Sequence, residues 1–201
     1  MNKFDLIKTL SESKKKTLSE EQLAWIKQHM LFQFKGNDEI LLQKFRVWSD
    51  GTVSYNESQL TIVDFDEGFE PPVPFKFKYI QRLRIASGTV LTTFDIFPEK
   101  AFGVGFLNDE KMPSLKGLSK VLKECKTFRI NTRFKNGMIE FFKIRGLEDV
   151  SIYSPKSEKN RTAKFEKKIS KAVKILNKWL KEKDPFGFQN EMEDEGLREF
   201  L

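Results

Sequence analysis

Apolar residues at helical spacing mark the first third of the chain. Leu23, Ile26 and Met30 recur at i, i+3 and i+7, which predicts an amphipathic helix with one apolar stripe. Ser19 and Gln22 have the spacing of a capping box, in which each side chain bonds the backbone N–H of the other residue. We therefore expect this helix to begin at Ser19. Further along, Asp50-Gly51 predicts the turn of a β-hairpin.

The middle third repeats one pattern, apolar-x-x-apolar-x-apolar, and shows no long helical period. An apolar-x-apolar segment predicts a strand with two side chains on one face. The central apolar positions of five copies are 23, 21, 24 and 22 residues apart: Leu60, Leu83, Val104, Phe128 and Val150. In three copies, three more apolar residues follow at threefold spacing, which predicts a 3₁₀-like or irregular return segment. These residues are Leu91, Phe94 and Phe97; Met112, Leu115 and Leu118; and Met138, Phe141 and Ile144.

The repeat predicts the fold class. A unit with one apolar face buries that face by stacking against its neighbours, and a period of 21–24 residues is typical of leucine-rich repeats. We therefore predict an α/β fold, a short, irregular leucine-rich-repeat-like solenoid of about four or five coils with helical caps at both ends. The predicted segments are an N-terminal helical cap over 1–47, the solenoid over 48–155, a basic capping helix over 156–183 and an acidic tail over 184–201.

Two stretches carry a family resemblance. Asp50-Gly51-Thr52-Val53 is followed by Val73-Pro74-Phe75-Lys76-Phe77, which leads into the Leu83 strand. Together with the repeat, they resemble the divergent leucine-rich repeat proteins of tailed, T4-like bacteriophages over residues 48–153. The usual Asn after each strand is replaced, at Gly88, Asp109, Arg133 and Pro155. The resemblance implies a scaffold in the cytoplasm of an infected bacterium that binds a host or phage protein, with inhibition or antagonism of a host factor as one role.

The charge is concentrated near the C-terminus. Residues 156–183 contain eleven Lys or Arg and three acidic residues, a net charge of +8, and their apolar residues share one helix face. One interpretation is a capping helix with a solvated outer face. The other is a nucleic-acid contact that neutralises phosphates without reading sequence. The lysines of this second interpretation are Lys164, Lys167, Lys168, Lys171, Lys174 and Lys178.

The last eighteen residues have a net charge of −5. This tail could fold over the basic helix and mask it, or it could fold on a partner as a linear motif. Its end carries Leu197, Phe200 and Leu201 behind acidic residues, which loosely resembles the C-terminal tails by which phage replication and transcription proteins engage the sliding clamp. A docked or frayed tail is the plainer interpretation.

Composition argues against several classes of site. The chain has one Cys, Cys125, and one His, His29, which are too few for an internal disulfide framework or a Cys/His zinc site. No motif of nucleophilic catalysis surrounds His29, the paired acids follow no nuclease or glycosidase pattern, and no phosphate-binding glycine loop occurs. We therefore predict no catalytic residue, no metal and no cofactor. No apolar run is long enough to span a membrane, so we expect a cytoplasmic protein.

The outward positions of the predicted strands are the remaining candidate site. In repeat proteins these positions form the binding surface. Here they form a mixed, mildly basic stripe that includes Arg82, Arg84, Lys126, Arg129 and Ser151. We predict a non-catalytic protein-binding scaffold that uses this stripe. The alternatives are nucleic-acid binding through the lysine-rich helix and a structural role in the virion.

Overall fold

The repeated apolar motif forms parallel strands of one sheet. The structure, a computed structural model, describes residues 17–29, 39, 43–62, 73–85, 94–106, 114–130, 136–152 and 163–201. Its strands are β1 Phe45–Val47, β2 Val53–Tyr55, β3 Leu60–Ile62, β4 Phe77–Ile85, β5 Lys100–Phe106, β6 Glu124–Ile130 and β7 Asp149–Ile152. Its helices are α1 Glu20–His29, α2 Leu118–Val121, α3 Ala163–Glu182 and α4 Pro185–Asp194, with 3₁₀ helices at Met138–Lys143 and Arg198–Phe200.

The register of the sheet confirms the equivalence that the repeat predicts. Leu60 pairs with Leu83, Leu83 with Val104, Val104 with Phe128, and Phe128 with Val150, all between parallel strands. These five side chains are buried on the same face. A shift of one residue would move each apolar set to solvent, so the hydrophobic pattern alone was enough to predict the register.

The predicted leucine-rich-repeat solenoid is wrong. The described residues form a mixed α/β fold with a seven-stranded, mostly parallel sheet in the order β1-β2-β4-β5-β6-β7, with β3 also on β4. A solenoid adds one strand per coil, whereas here β2 pairs with the first half of β4 and β3 with its second half, along the same edge. The sheet also begins with an antiparallel hairpin of β1 and β2. The α/β class itself is confirmed.

Local signals in the first third are confirmed where the structure describes them. Ser19 N–H donates to Gln22 Oε1 at 3.0 Å and Gln22 N–H donates to Ser19 Oγ at 3.2 Å, which is the capping box at the start of α1. Gly51 lies in the turn between β1 and β2 with φ of 82°, a conformation that favours glycine. Phe45–Val47, which fell inside the predicted helical cap, is a strand because it pairs with β2.

Phenylalanine rings fill the core behind the strands. Phe128 is fully buried on β6 and stacks on Phe97 with ring centroids 6.5 Å apart. Phe128 also contacts Phe141, with centroids 5.1 Å apart, on the 3₁₀ helix Met138–Lys143. The threefold spacing of Met138, Phe141 and Ile144 therefore does form a 3₁₀ segment that turns one edge inward, as predicted. Leu91 and Met112 of the other series lie outside the described residues.

Helix α3 covers the edge of the sheet at β7. Val150 N–H donates to Asn177 Oδ1 at 2.9 Å, and Asn177 Nδ2 donates to the Val150 carbonyl at 2.7 Å. One amide side chain thus bonds both groups of a strand edge residue that would otherwise be left without partners beneath the helix.

We expect Asn177→Leu to lower the free energy of unfolding by about 1–3 kcal/mol, because it leaves a part-buried donor and acceptor unsatisfied. Denaturant unfolding followed by circular dichroism measures the change. The matched control is Asn190→Leu on the exposed face of α4, which should shift the free energy by no more than about 0.5 kcal/mol. Equal losses in the two variants would contradict this role of Asn177.

The acidic tail is an ordered part of the fold. Asp184 accepts hydrogen bonds from Phe186 N–H and Gly187 N–H, so it caps α4, and Pro185 occupies the first turn. Asp184-Pro185 follows the end of α3 and begins the next helix, since Pro at the first helical position needs no N–H partner. Four apolar side chains of the tail are buried: Phe188, Met192, Leu197 and Phe200.

Candidate binding groove

Six residues of three adjacent strands face outward in two rows across the sheet. The first row is Arg82 on β4, Gly103 on β5 and Thr127 on β6. The second row is Arg84, Gly105 and Arg129 on the same strands. Their sequence neighbours Leu83, Val104 and Phe128 are buried on the inner face, so strand alternation sends these rows to the outer face.

The two rows line a groove of about 450 Å³. β5 forms its floor and contributes a glycine to each row, Gly103 and Gly105, so at these two positions only backbone lies between the flanking side chains. At Gly103 a Cβ would lie 2.8 Å from Thr127 Oγ1, too close for any larger residue without a shift. At Gly105 the nearest atom to such a Cβ would be Arg129 Cβ at 4.0 Å, an ordinary contact. Adjacent strands are about 4.8 Å apart, so Arg84 and Arg129 flank Gly105 across about 10 Å.

An exposed aromatic ring lies at the groove. Phe102 is 42% exposed, and its ring centroid lies 5.5 Å from the Arg82 guanidinium carbon and 5.9 Å from Lys126 Nζ. Phe102 is not among the residues that the sequence predicted for this stripe. The signal was present, because Phe102 follows the first apolar position of its copy and such positions point away from the core.

Every charged residue that lines the groove is an arginine, namely Arg82, Arg84 and Arg129. Within the described ranges no carboxylate pairs with Arg82 or Arg84. Lys126, at the rim, forms an ion pair with Glu148 at 3.1 Å. The groove is therefore lined by positively charged side chains with a nearby aromatic surface, which suits an anionic ligand.

The structure thus brings together part of the predicted stripe. Arg82, Arg84 and Arg129 share the groove, whereas Lys126 stands beside Phe102 at its border. Ser151 lies on β7, where it pairs in register with Arg129 of β6. It is therefore one strand beyond the residues that line the groove. Sequence alone could not show which of these residues line the groove, because the ion pair of Lys126 with Glu148 and the extent of the groove depend on neighbouring strands.

Three lysines of α3 are already paired with the tail. Lys168 Nζ lies 2.8 Å from Glu199 Oε1 and Lys178 Nζ lies 2.5 Å from Glu191 Oε2, and Lys171 pairs with Glu195. Glu191 also accepts a hydrogen bond from Trp179 Nε1, and the bonds from Lys178 and Trp179 lower the pKa of its carboxyl. Of the two arrangements expected for the tail, folding over the basic helix is the one observed.

The remaining lysines occupy the other side of α3. Lys167 and Lys174 are exposed and have no carboxylate partner within the described residues. Lys164 lies in the first turn of α3, and its side chain is outside the described part of the structure. The predicted nucleic-acid surface is therefore divided, with half of its lysines neutralised by the tail.

The predicted tail motif is not accessible in this arrangement. Leu197 and Phe200 are buried, and the Leu201 carbonyl accepts a hydrogen bond from Gly137 N–H at 2.9 Å. Engagement of a partner through these residues therefore requires the whole C-terminal segment to detach from α3 and from the Met138–Lys143 segment.

Other candidate chemistry is limited. Cys125 is buried, and burial raises the pKa of its thiol to about 12, so the thiolate that reacts as a nucleophile is suppressed. The side chain of His29 lies outside the described residues.

Among the residues described, no group of three or more His, Cys, Asp or Glu side chains could hold a metal ion. In the same part of the chain, no helix has the length and apolar character needed to cross a bilayer.

A second groove of about 840 Å³ lies between the end of α3 and residues 144–148. It is lined by both signs of charge, with Arg145, Lys181 and Lys183 beside Glu148, over an apolar base that includes Phe142. Its charges therefore partly compensate each other, and its lining favours no single class of ligand.

Comparison of the chain with protein-family models, with curated proteins and with solved structures gives no significant match to any of them. The resemblance to phage leucine-rich repeat proteins therefore gains no support from these comparisons.

Proposed function

We propose that this protein is a non-catalytic binding protein that holds a protein partner on the outer face of its sheet. One observation carries the proposal: Arg82, Arg84 and Arg129 surround a glycine floor beside the exposed ring of Phe102. Arginine and aromatic side chains are the residue types that concentrate binding energy at protein interfaces.

The shape of the groove supports a macromolecular partner. Gly103 and Gly105 leave the backbone of β5 uncovered, so the main chain of a partner can approach closely. A host or phage protein in the bacterial cytoplasm is the partner within this proposal, and that setting rests on the sequence resemblance alone. Nucleic-acid binding by α3 is less favoured, because Lys168, Lys171 and Lys178 are already paired with glutamates.

Affinity capture from bacterial lysate tests the proposal. The wild-type protein should retain one stoichiometric protein. The Arg84→Glu variant should lose it, because a negative charge in the groove repels an anionic partner surface. Lys174→Glu is the matched control, since it makes the same charge change on the exposed face of α3. Loss with Lys174→Glu and retention with Arg84→Glu would place the interface on the basic helix and contradict the proposal. Retention in both variants would also contradict it.

A further inference from the structure

We propose that the protein partner also contacts a strip of aromatic side chains on the outer face beside the groove, with Tyr79 as a second anchor next to Phe102. This aromatic strip consists of Trp48, Tyr79 and Phe102. The inference rests on the proposed function. It adds a contact residue and the kind of surface that the partner presents, which is an apolar patch bordered by acidic residues.

The groove is smaller than a stable protein interface. Ten described residues line it, whereas each partner of a stable complex contributes about 20–30 residues. A protein held at the groove therefore also contacts the surface around it. The exposed aromatic rings of the sheet indicate where this contact extends.

Two of the three large hydrophobic side chains that are exposed among the described residues lie on the outer face. They are Tyr79 on β4 and Phe102 on β5, each 42% exposed. Tyr79 pairs in register with Lys100, and Phe102 follows Lys100 by two residues, so the Cα atoms of the two aromatic residues lie about 8 Å apart. Their neighbours Ile80 and Ala101 are buried, so both rings face outward.

Trp48 extends the strip to the next strand. Its Nε1 donates to Ser54 Oγ at 2.8 Å, and Ser54 on β2 pairs in register with Tyr79. The Arg46 guanidinium carbon lies 4.0 Å and Lys78 Nζ lies 4.6 Å from the centroid of the Trp48 ring. These contacts hold the indole at β2 before a partner binds, so binding costs less conformational entropy.

The charges around the strip and the groove differ. Three lysines near the strip are paired with carboxylates: Lys78 with Asp50 at 3.0 Å, Lys100 with Glu124 at 3.2 Å and Lys126 with Glu148 at 3.1 Å. In the groove, Arg82 and Arg84 have no carboxylate partner within the described ranges. The strip therefore suits an apolar patch of the partner, and the two arginines suit acidic residues at the border of that patch.

The rings favour a protein over a single-stranded nucleic acid. Bases stack on the open faces of aromatic rings. Cations already lie over the ring of Trp48, and Phe102 has Arg82 at 5.5 Å and Lys126 at 5.9 Å from its centroid. Aromatic and arginine side chains arranged in this way are typical of the centre of a protein interface.

Site-specific photo-crosslinking tests the contact. The photoreactive amino acid p-benzoylphenylalanine replaces Tyr79, and the full chain is irradiated in bacterial lysate. We expect a covalent adduct with the same protein that the wild-type chain captures. The matched control places the same amino acid at Phe186, the exposed ring on α4, where no adduct with that protein should form.

Affinity measurements with the purified captured protein test the anchor. Tyr79→Ala should weaken binding at least about tenfold, because truncation of an aromatic anchor removes a large share of the binding energy. Tyr79→Phe keeps the ring and should bind more tightly than Tyr79→Ala. Phe186→Ala should leave binding unchanged, and circular dichroism checks that each variant keeps the fold.

The acidic border of the partner surface is tested by salt. Binding of the captured protein should weaken at least about tenfold between about 0.05 and 0.5 M salt, because charge pairs at an exposed rim are screened. Arg84→Gln should weaken binding at low salt and reduce the salt dependence, while Lys174→Gln on α3 should change neither.

Several results would overturn the inference. They are no adduct from position 79, an adduct that nuclease removes, equal binding of Tyr79→Ala and the wild type, and binding that does not depend on salt. If any of them occurs while Arg84→Glu still loses the captured protein, the inference is wrong and the proposed function stands. If no protein is captured, the proposed function fails and the inference fails with it.

Discussion

A chain that ends at Pro185 should no longer unfold cooperatively. The deleted residues 186–201 include four buried apolar side chains, Phe188, Met192, Leu197 and Phe200. Burial of such side chains contributes about 1.5–3 kcal/mol each, so the deletion removes about 6–12 kcal/mol. The whole folding free energy of a domain is about 5–15 kcal/mol, and the truncated chain also exposes the apolar stripe of α3. Thermal unfolding by circular dichroism and the dispersion of the NMR spectrum measure the effect.

The control for the truncation keeps the apolar residues and removes the charges. Replacing Glu191, Glu195 and Glu199 together by glutamine breaks the pairs with Lys178, Lys171 and Lys168. Exposed ion pairs contribute little, so the midpoint should shift only slightly. If the truncated chain had the same thermal unfolding midpoint as the full chain, the buried side chains of the tail would not contribute to the stability of the fold.

Phe128→Ala should be the most destabilising single substitution proposed here. Phe128 is fully buried at the centre of the sheet, between the rings of Phe97 and Phe141. Loss of a buried phenylalanine side chain costs about 3–5 kcal/mol, because the neighbours fill the resulting cavity only in part. Denaturant unfolding at equilibrium measures the change.

Phe102→Ala is the matched control, since Phe102 lies on the neighbouring strand and faces the opposite side of the sheet. Its ring is 42% exposed, so the free energy of unfolding should fall by less than about 1 kcal/mol. The same substitution should weaken capture of the partner if Phe102 contacts it. Similar losses of stability in Phe102→Ala and Phe128→Ala would contradict the assignment of the two faces.

Part of the candidate site was predictable from sequence. Arg84 and Arg129 alternate with buried residues, so a strand pattern alone places them on the outer face. Phe102 was not predicted to belong to the site, although its position beside the first apolar residue of its repeat also places it on the outer face. That Lys126 is paired with Glu148, and Arg84 with no described carboxylate, could not be predicted, because these distances join different strands and loops.

The sequence by itself determined the features that depend on neighbours in the chain or on a simple period. These are the capping box of Ser19 and Gln22, the hairpin at Gly51, the register through Leu83 and Phe128, and the 3₁₀ segment at Phe141. Each follows from local hydrogen bonding or from the burial of one face.

Only the tertiary structure decided how the elements share their surfaces. β2 and β3 lie end to end on one edge of β4, which replaced the predicted solenoid by a single mixed sheet. α4 packs against α3, which buried the tail and neutralised three lysines. The physical reason is that strand edges, helix faces and charges pair with groups that are distant in sequence. Which of these groups lies nearby depends on how the whole chain packs, and the local pattern does not encode it.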